Sequence, residues 1–158
     1  MNLEIKGKNA LVTGGANGIG KSISEHLANE GVNVFFTSRS TKTIINMEKT
    51  LKKYKVKSKG IKVDFLNNKS FKNFLKKIKK MNIDILVNNA GHTLDLTDPY
   101  CSIKDWHSIM NVNFETPVQI VNALVPKMKK KNWGRIVNIT SCAGLENSGP
   151  VTYTVSKA

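Results

Sequence analysis

The sequence predicts an α/β fold, a doubly wound parallel sheet, and three observations predict it. Short β-branched runs alternate with longer amphipathic runs in the order β-α-β-α-β-α-β-α-β, which implies right-handed βαβ units. The strand-like runs are almost uniformly apolar, as strands covered on both faces are. The 158 residues suit one domain, and 40% hydrophobic residues can build its core.

The first strand is Asn9 to Thr13, a compact apolar run. Ile19 to Glu30 has helical periodicity, and Gly31 follows as the residue that ends the helix in a left-handed turn. Val32 to Ser38 is the second strand, and Thr41 to Tyr54 a lysine-rich helix. Ser58 to Val63 is the third strand, ending at Asp64. From Asn68 to Lys80, Phe71, Phe74, Leu75 and Ile78 fall three and four apart, with lysines between them. That spacing makes one buried stripe on a helix whose other face is wet. Ile83 to Val87 is the fourth strand. Ile103 to Lys131 is largely helical, with a break expected near Pro117. Arg135 to Thr140 is the fifth strand, and a last helix starts near Val151.

Composition removes several function classes. Lys and Arg number 25 against 11 acids, a net charge of +14, which raises the question of a nucleic-acid partner. Only Arg39 and Arg135 are arginine, however, and base and phosphate recognition leans on the guanidinium fork. The lysines read as a solvated exterior in an Asn- and Lys-rich chain, so no nucleic acid is expected. No run approaches the 18 or more apolar residues of a membrane span, so no membrane is expected. The start, MNLEIKGK, has no apolar signal segment. Cys101 and Cys142 are far apart and read as reduced thiols. A cytoplasmic location is expected. His26, His92 and His107 share no metal-ligand spacing and read as structural or solvated, so no metal is expected.

The first strand runs into Thr13-Gly14-Gly15-Ala16-Asn17-Gly18-Ile19-Gly20, and a helix follows. Glycines at such a turn allow positive φ and close backbone approach. Free N–H groups and the helix dipole then suit a pyrophosphate. Gly15 to Ser22 also matches the G-x-x-x-x-G-K-S phosphate loop, but no convincing magnesium-binding Asp ends an apolar strand. A dinucleotide site selective for NAD places an acid about 20 residues beyond its glycines, against the ribose 2′-OH. Here the residue 19 past Gly20 is Arg39, after Ser38, with no acid nearby. A guanidinium suits a 2′-phosphate, so NADP(H) is expected over NAD(H), with Lys42 as a helper.

Further along stand Asn88-Asn89-Ala90-Gly91 after strand four, Asn113 in NVNFE, Ser141 after strand five, and Tyr153-Thr-Val-Ser-Lys157. Five motifs in order, each at its strand or helix edge, resemble the short-chain dehydrogenase/reductase family, including its 3-oxoacyl-carrier-protein reductases. The resemblance runs from residue 8 to the end. It disfavours the phosphate-loop reading, and it implies a Rossmann-type sheet and an NAD(P)H-dependent interconversion of a carbonyl and an alcohol. It assigns catalysis to Asn113, Ser141, Tyr153 and Lys157. Cofactor contacts fall on Thr13, Gly14, Asn17, Gly18, Ile19, Gly20, Ser38, Arg39, Asp64, Asn89, Ala90, Gly91, Tyr153 and Lys157. In this scheme Tyr153 protonates the substrate oxygen and Ser141 orients it. Lys157 tunes Tyr153 and holds the nicotinamide ribose, while Asn113 anchors a relay water. Asp64 contacts adenine, and Asn89 to Gly91 pack under the cofactor.

The residue types suit that chemistry. Tyr153 and Lys157 are one helical turn apart and share a face. A free phenol has a pKa of about 10, and a neighbouring cation favours its ionised form. The substrate expected is a small-molecule or carrier-bound carbonyl compound. Members of the family are longer by about a hundred residues. Residues 1–158 therefore read as a single NADP(H)-binding domain incomplete at its C-terminus, cut after the fifth strand and the start of the next helix. The full-length form is expected to be a homodimer or homotetramer. A second reading stays open, in which the chain is a truncated, inactive remnant that binds dinucleotide.

Overall fold

The computed structural model describes residues 3–146 and 148–158. Met1, Asn2 and Asn147, which fall within the predicted 1–158 domain, lie outside the described residues. The strands are β1 (Asn9–Val12), β2 (Asn33–Ser38), β3 (Ser58–Lys62), β4 (Ile85–Asn88) and β5 (Arg135–Asn138). The helices are α1 (Gly18–Asn29), α2 (Thr41–Leu51), α3 (Asn68–Lys80), α4 (Ile103–Met110), α5 (Thr116–Lys130), α6 (Ala143–Glu146) and α7 (Val151–Lys157). All strand pairs are parallel, in the order β3-β2-β1-β4-β5. The order reverses between β1 and β4, and ligands of open α/β sheets bind beyond the strand ends at such a reversal.

The sheet is covered on both faces. Ala28 of α1 and Ile44, Met47 and Leu51 of α2 pack with Val12, Val34 and Phe36 on one face. Phe71, Phe74 and Ile78 of α3 join Ile120, Leu124 and Met128 of α5 over Leu11, Ile61 and Leu86 on the other. The predicted α3 stripe is therefore the buried one, with Leu75 at its margin. Burying each such side chain is worth about 1.5–3 kcal/mol. Asn67 starts α3 by accepting from Ser70 N–H at 2.9 Å, which satisfies one free amide of the first turn. Gly31 ends α1 at φ 75°, as its position predicts.

Several expectations need correction. The break expected near Pro117 takes the form of a π turn over Asn111–Glu115, just before it. Helical backbone continues from α4 through this turn into α5, and Pro117 has no N–H to give the carbonyl of Asn113 four residues back, inside the turn. The helix from Thr41 ends at Leu51 and tightens into a 3₁₀ turn, Lys52–Tyr54. β4 starts two residues later than expected, because Asp84 is engaged by Asn9 N–H and by Lys131. β5 stops at Asn138, and α6 was not anticipated. The two outer strands are not doubly buried: Lys59 and Lys62 of β3 are exposed, and so is every residue of β5. No helix among the described residues is long and apolar enough to cross a membrane.

Candidate dinucleotide and active site

The glycine turn is closed by its neighbours. Thr13 is buried at the end of β1, and its Oγ1 accepts from Asn89 N–H at 3.0 Å and Ala90 N–H at 2.9 Å. The Asn89 side-chain amide donates back to the Thr13 carbonyl at 3.0 Å. The turn after β1 and the turn after β4 are thereby stitched together at the point where strand order reverses. On the other side, Gly14 N–H donates to Thr37 Oγ1 at 2.9 Å. Ser24 Oγ lies within reach of the Gly15 and Gly20 carbonyls.

The glycines answer to this crowding. Gly14 has φ 63°, and a Cβ at Gly20 would collide with the Gly14 carbonyl oxygen. Gly18 has φ 51° and open space in front of it. Asn17 precedes α1 without capping it by its side chain, and the first turn holds no acid. The helix therefore presents free N–H groups and an uncompensated positive dipole end, as an anion site requires.

A cleft of about 310 Å³ runs from this turn. Gly14 and Asn17 line it, with Ser38 and Arg39 from the end of β2, Asp64 after β3, and Asn89, Ala90 and Gly91 after β4. Eight predicted cofactor residues thus share one surface. Thr13, Gly18, Ile19 and Gly20 frame the turn without lining the cleft. Arg39 is exposed at the cleft wall, with its guanidinium free to meet a phosphate. Ser38 holds the chain there: its hydroxyl bonds Thr43 Oγ1 at 2.7 Å and accepts from Ser40 N–H. Asp64 Oδ1 accepts from Leu66 N–H at 3.0 Å, which shapes the loop and leaves the second carboxylate oxygen for a ligand. Free amides, the Arg39 guanidinium and a glycine bed together fit a phosphorylated dinucleotide.

Of the predicted catalytic residues, Asn113 and Lys157 meet at the other end of this bed, with Tyr153 beside Lys157. The π turn swings the buried Asn113 toward the loop after β4 and toward α7. Its Oδ1 accepts from His92 N–H at 2.9 Å, and its amide donates to the His92 carbonyl at 3.0 Å and Ser156 Oγ at 2.9 Å. Lys157 Nζ donates to the Ile139 carbonyl at 3.1 Å. A Cβ placed at Gly91 would stand 3.0 Å from both Lys157 Nζ and Asn113 Oδ1. Gly91 is thus the point where the predicted cofactor bed meets Asn113 and Lys157. Lys157 Nζ lies 5.9 Å from the centre of the Tyr153 ring. Burial pushes the Lys157 ammonium below the ordinary lysine value of 10.5. Ser141 Oγ accepts from Ala143 N–H at 3.2 Å as the chain enters α6. Tyr153, Lys157 and Ser141 lie outside the cleft lining; Lys157 instead lines a neighbouring apolar groove with Phe114, Val118 and Val155.

A model of the short chain dehydrogenase family matches residues 8–158. The chain belongs to the short-chain dehydrogenase family. It is 38% identical over 162 residues to a 3-oxoacyl-[acyl-carrier-protein] reductase of Aquifex aeolicus, covering all of this chain and 65% of that protein. This chain thus spans about two thirds of the length of such relatives. A metagenomic short-chain oxidoreductase solved in complex with NADP is 27% identical, with a TM-score of 0.86, over 97% of this chain and 71% of that one. An NAD+-bound xylitol dehydrogenase at 24% identity shares the fold, with a TM-score of 0.82 over 98% of this chain and 61% of that one.

Sequence reasoning missed Thr37 and Ser24, which brace the glycine turn, and His92, which lines the cleft. Thr37 carried a signal, a hydroxyl at the end of β2 beside the turn of β1. His92 follows Asn88–Gly91 directly. Among the described residues no cluster of His, Cys, Asp or Glu could hold a metal ion.

Proposed function

We propose that this short-chain dehydrogenase chain carries the cofactor-binding and catalytic part of an NADP(H)-dependent carbonyl reductase. The observation that supports it most is the convergence of Lys157 Nζ and Asn113 Oδ1 on Gly91, where the dinucleotide bed ends. When bound, NADPH supplies a hydride to the carbonyl carbon. The chain's own residues do the rest. Tyr153 donates its phenolic proton to the developing alkoxide oxygen, and Ser141 donates a hydrogen bond that orients that oxygen. Lys157 favours the phenolate left behind and holds ribose hydroxyls, and Asn113 anchors the water that restores the proton. Fold alone does not choose the dinucleotide, since an NAD+-bound protein shares it. Arg39, at the place where an acid would meet a 2′-OH, argues for the 2′-phosphate.

The relative from Aquifex aeolicus is named for a 3-oxoacyl group on acyl-carrier protein, so a carrier-bound 3-oxoacyl thioester is the first substrate to test. A positioned general acid contributes roughly 10²–10⁴-fold. Tyr153→Phe is therefore expected to cut NADPH oxidation by about that factor while NADP+ affinity changes little. Turnover retained by Tyr153→Phe would contradict the role of Tyr153.

A second reading rests on the open side of the catalytic end. Val151 and Val155 of α7 are 47% and 51% exposed. A chain with this side uncovered binds dinucleotide without turnover. It predicts thermal stabilisation by NADP+ and no carbonyl reduction; robust reduction by the 158-residue chain would refute it.

A further inference from the structure

We propose that His92 is a dinucleotide-contacting residue, its Nε2–H donating to a sugar or phosphate oxygen of the bound cofactor. The proposal rests on the dinucleotide reading of the cleft and goes beyond it, because none of the motifs assigns this residue a role.

Three observations carry it. First, His92 lines the cleft with Gly91, Leu94 and Val112, and it follows directly on the Asn89-Ala90-Gly91 bed. Its backbone is fixed there from both sides by the Asn113 side chain, at 2.9 Å on the N–H and 3.0 Å on the carbonyl. An exposed imidazole on a clamped backbone is held at a set place in the wall.

Second, the ring's tautomer is determined. Nδ1 accepts from Leu94 N–H at 2.7 Å. An accepting nitrogen carries no proton, so the proton of the neutral ring is on Nε2. His92 therefore has one polar hydrogen left, and no residue among those described receives it. A donor whose ring is already locked in orientation loses little freedom on binding a ligand oxygen.

Third, the loop that supplies the Leu94 N–H is built at a cost. Leu94 has φ 54° and Asp95 φ 56°, two successive side-chain-bearing residues in the left-handed region. The left-handed region is unfavourable for residues that carry a Cβ. Leu94 N–H is turned onto the ring, and Leu96 N–H closes the turn on the Thr93 carbonyl at 3.1 Å. Backbone strain of this kind collects at ligand-holding sites.

The test separates the ring's two nitrogens. In His92→Asn, Oδ1 replaces Nδ1 as the acceptor for Leu94 N–H, the ordinary turn made by asparagine, and nothing replaces Nε2. His92→Gln places an amide N–H at the reach of Nε2. NADP+ affinity is measured by calorimetry for the 158-residue chain and both variants. We expect His92→Asn to bind about fivefold to tenfold more weakly, with the melting temperature of the cofactor-free protein unchanged. His92→Gln should recover part of the loss. Affinity of His92→Asn equal to the parent's would overturn the proposal and leave the dinucleotide reading standing. A parent that binds neither NADP+ nor NAD+ would overturn both. If a variant does not fold, the parent decides: addition of NADP+ should shift the His92 Nε2–H proton resonance and slow its exchange with water. A His92 resonance that does not move while NADP+ binds contradicts the contact.

Discussion

The two edges of the sheet are built to opposite plans. At the β3 edge, Lys59 and Lys62 project from the strand, and the outward Gly60 N–H is taken by Glu48 Oε1 of α2 at 2.8 Å. α2 and α3 cover its two faces with their own lysines turned to water. Charges on the strand and a side chain occupying a free amide are devices that stop an edge from pairing further. At the β5 edge, Ile136 is 38% and Val137 46% exposed, and Arg135 turns its guanidinium onto the neighbouring Gly134 carbonyl. β5 carries a single charge, Arg135, and no side chain among those described occupies a free amide of the strand. The β3 edge is a boundary that also carries the Arg39 end of the cleft. The β5 edge leads to Ser141 and to Ile139, whose carbonyl takes Lys157 of α7, and its apolar side chains are exposed. The lysine excess that suggests a nucleic-acid partner is therefore in large part the armour of one edge.

That contrast can be broken at several points. Phe74, 3% exposed under α3, touches the finished side. Phe74→Ala should cost about 3–5 kcal/mol in urea unfolding, whereas Val137→Ala on β5 should cost less than about 1 kcal/mol. Equal losses at the two sites would show that the β5 side is buried in solution. Gly60 tests the closed edge more finely. A Cβ there collides with Ile44 Cγ2, so Gly60→Ala should cost about 1–3 kcal/mol, and Ile44→Ala, which removes that methyl, should cost less in the Gly60→Ala chain than in the parent. Strict additivity of the two substitutions would contradict the packing.

The smallest effect lies at the catalytic end. The folded-state pKa of Lys157 is held below 10.5 by burial, so at neutral pH the charged ammonium costs stability. That cost fades as pH rises from the lowered folded value toward 10.5, because the native state releases its proton first. Between pH 7 and 10 the parent should gain stability relative to Lys157→Met, a difference read from paired thermal melts. A constant difference across that range would mean that Lys157 is not desolvated.

How much of this could be read from the sequence follows from which forces are local. The α3 stripe, the Gly31 stop and the strand-helix alternation arise from periodicity and backbone preference, and they stand where the residues place them. The glycine turn, Arg39, Asp64 and Asn89 to Gly91 are carried by successive strand ends, so topology alone brings them to one cleft. The π turn at Asn111–Glu115 was not legible, because it is fixed by Asn113 reaching His92 and Ser156, partners 21 and 43 residues away. Pro117 marked the place where the regular helix is interrupted, but not the form the interruption takes. The exposure of β5 was hidden for a related reason. RIVN reads as a buried strand, and burial depends on neighbours that its own residues do not specify.

The central claim is that the cleft holds NADP(H), read through Arg39. Its most direct test is the ratio of NADP+ to NAD+ affinity for the parent chain and for Arg39→Ala, measured by calorimetry at fixed salt. A charge-assisted contact to phosphate is worth about 1.5–3 kcal/mol. The parent should favour NADP+ by at least about tenfold, and Arg39→Ala should bring the ratio close to one while leaving NAD+ affinity intact. A ratio that Arg39→Ala leaves unchanged would contradict the account.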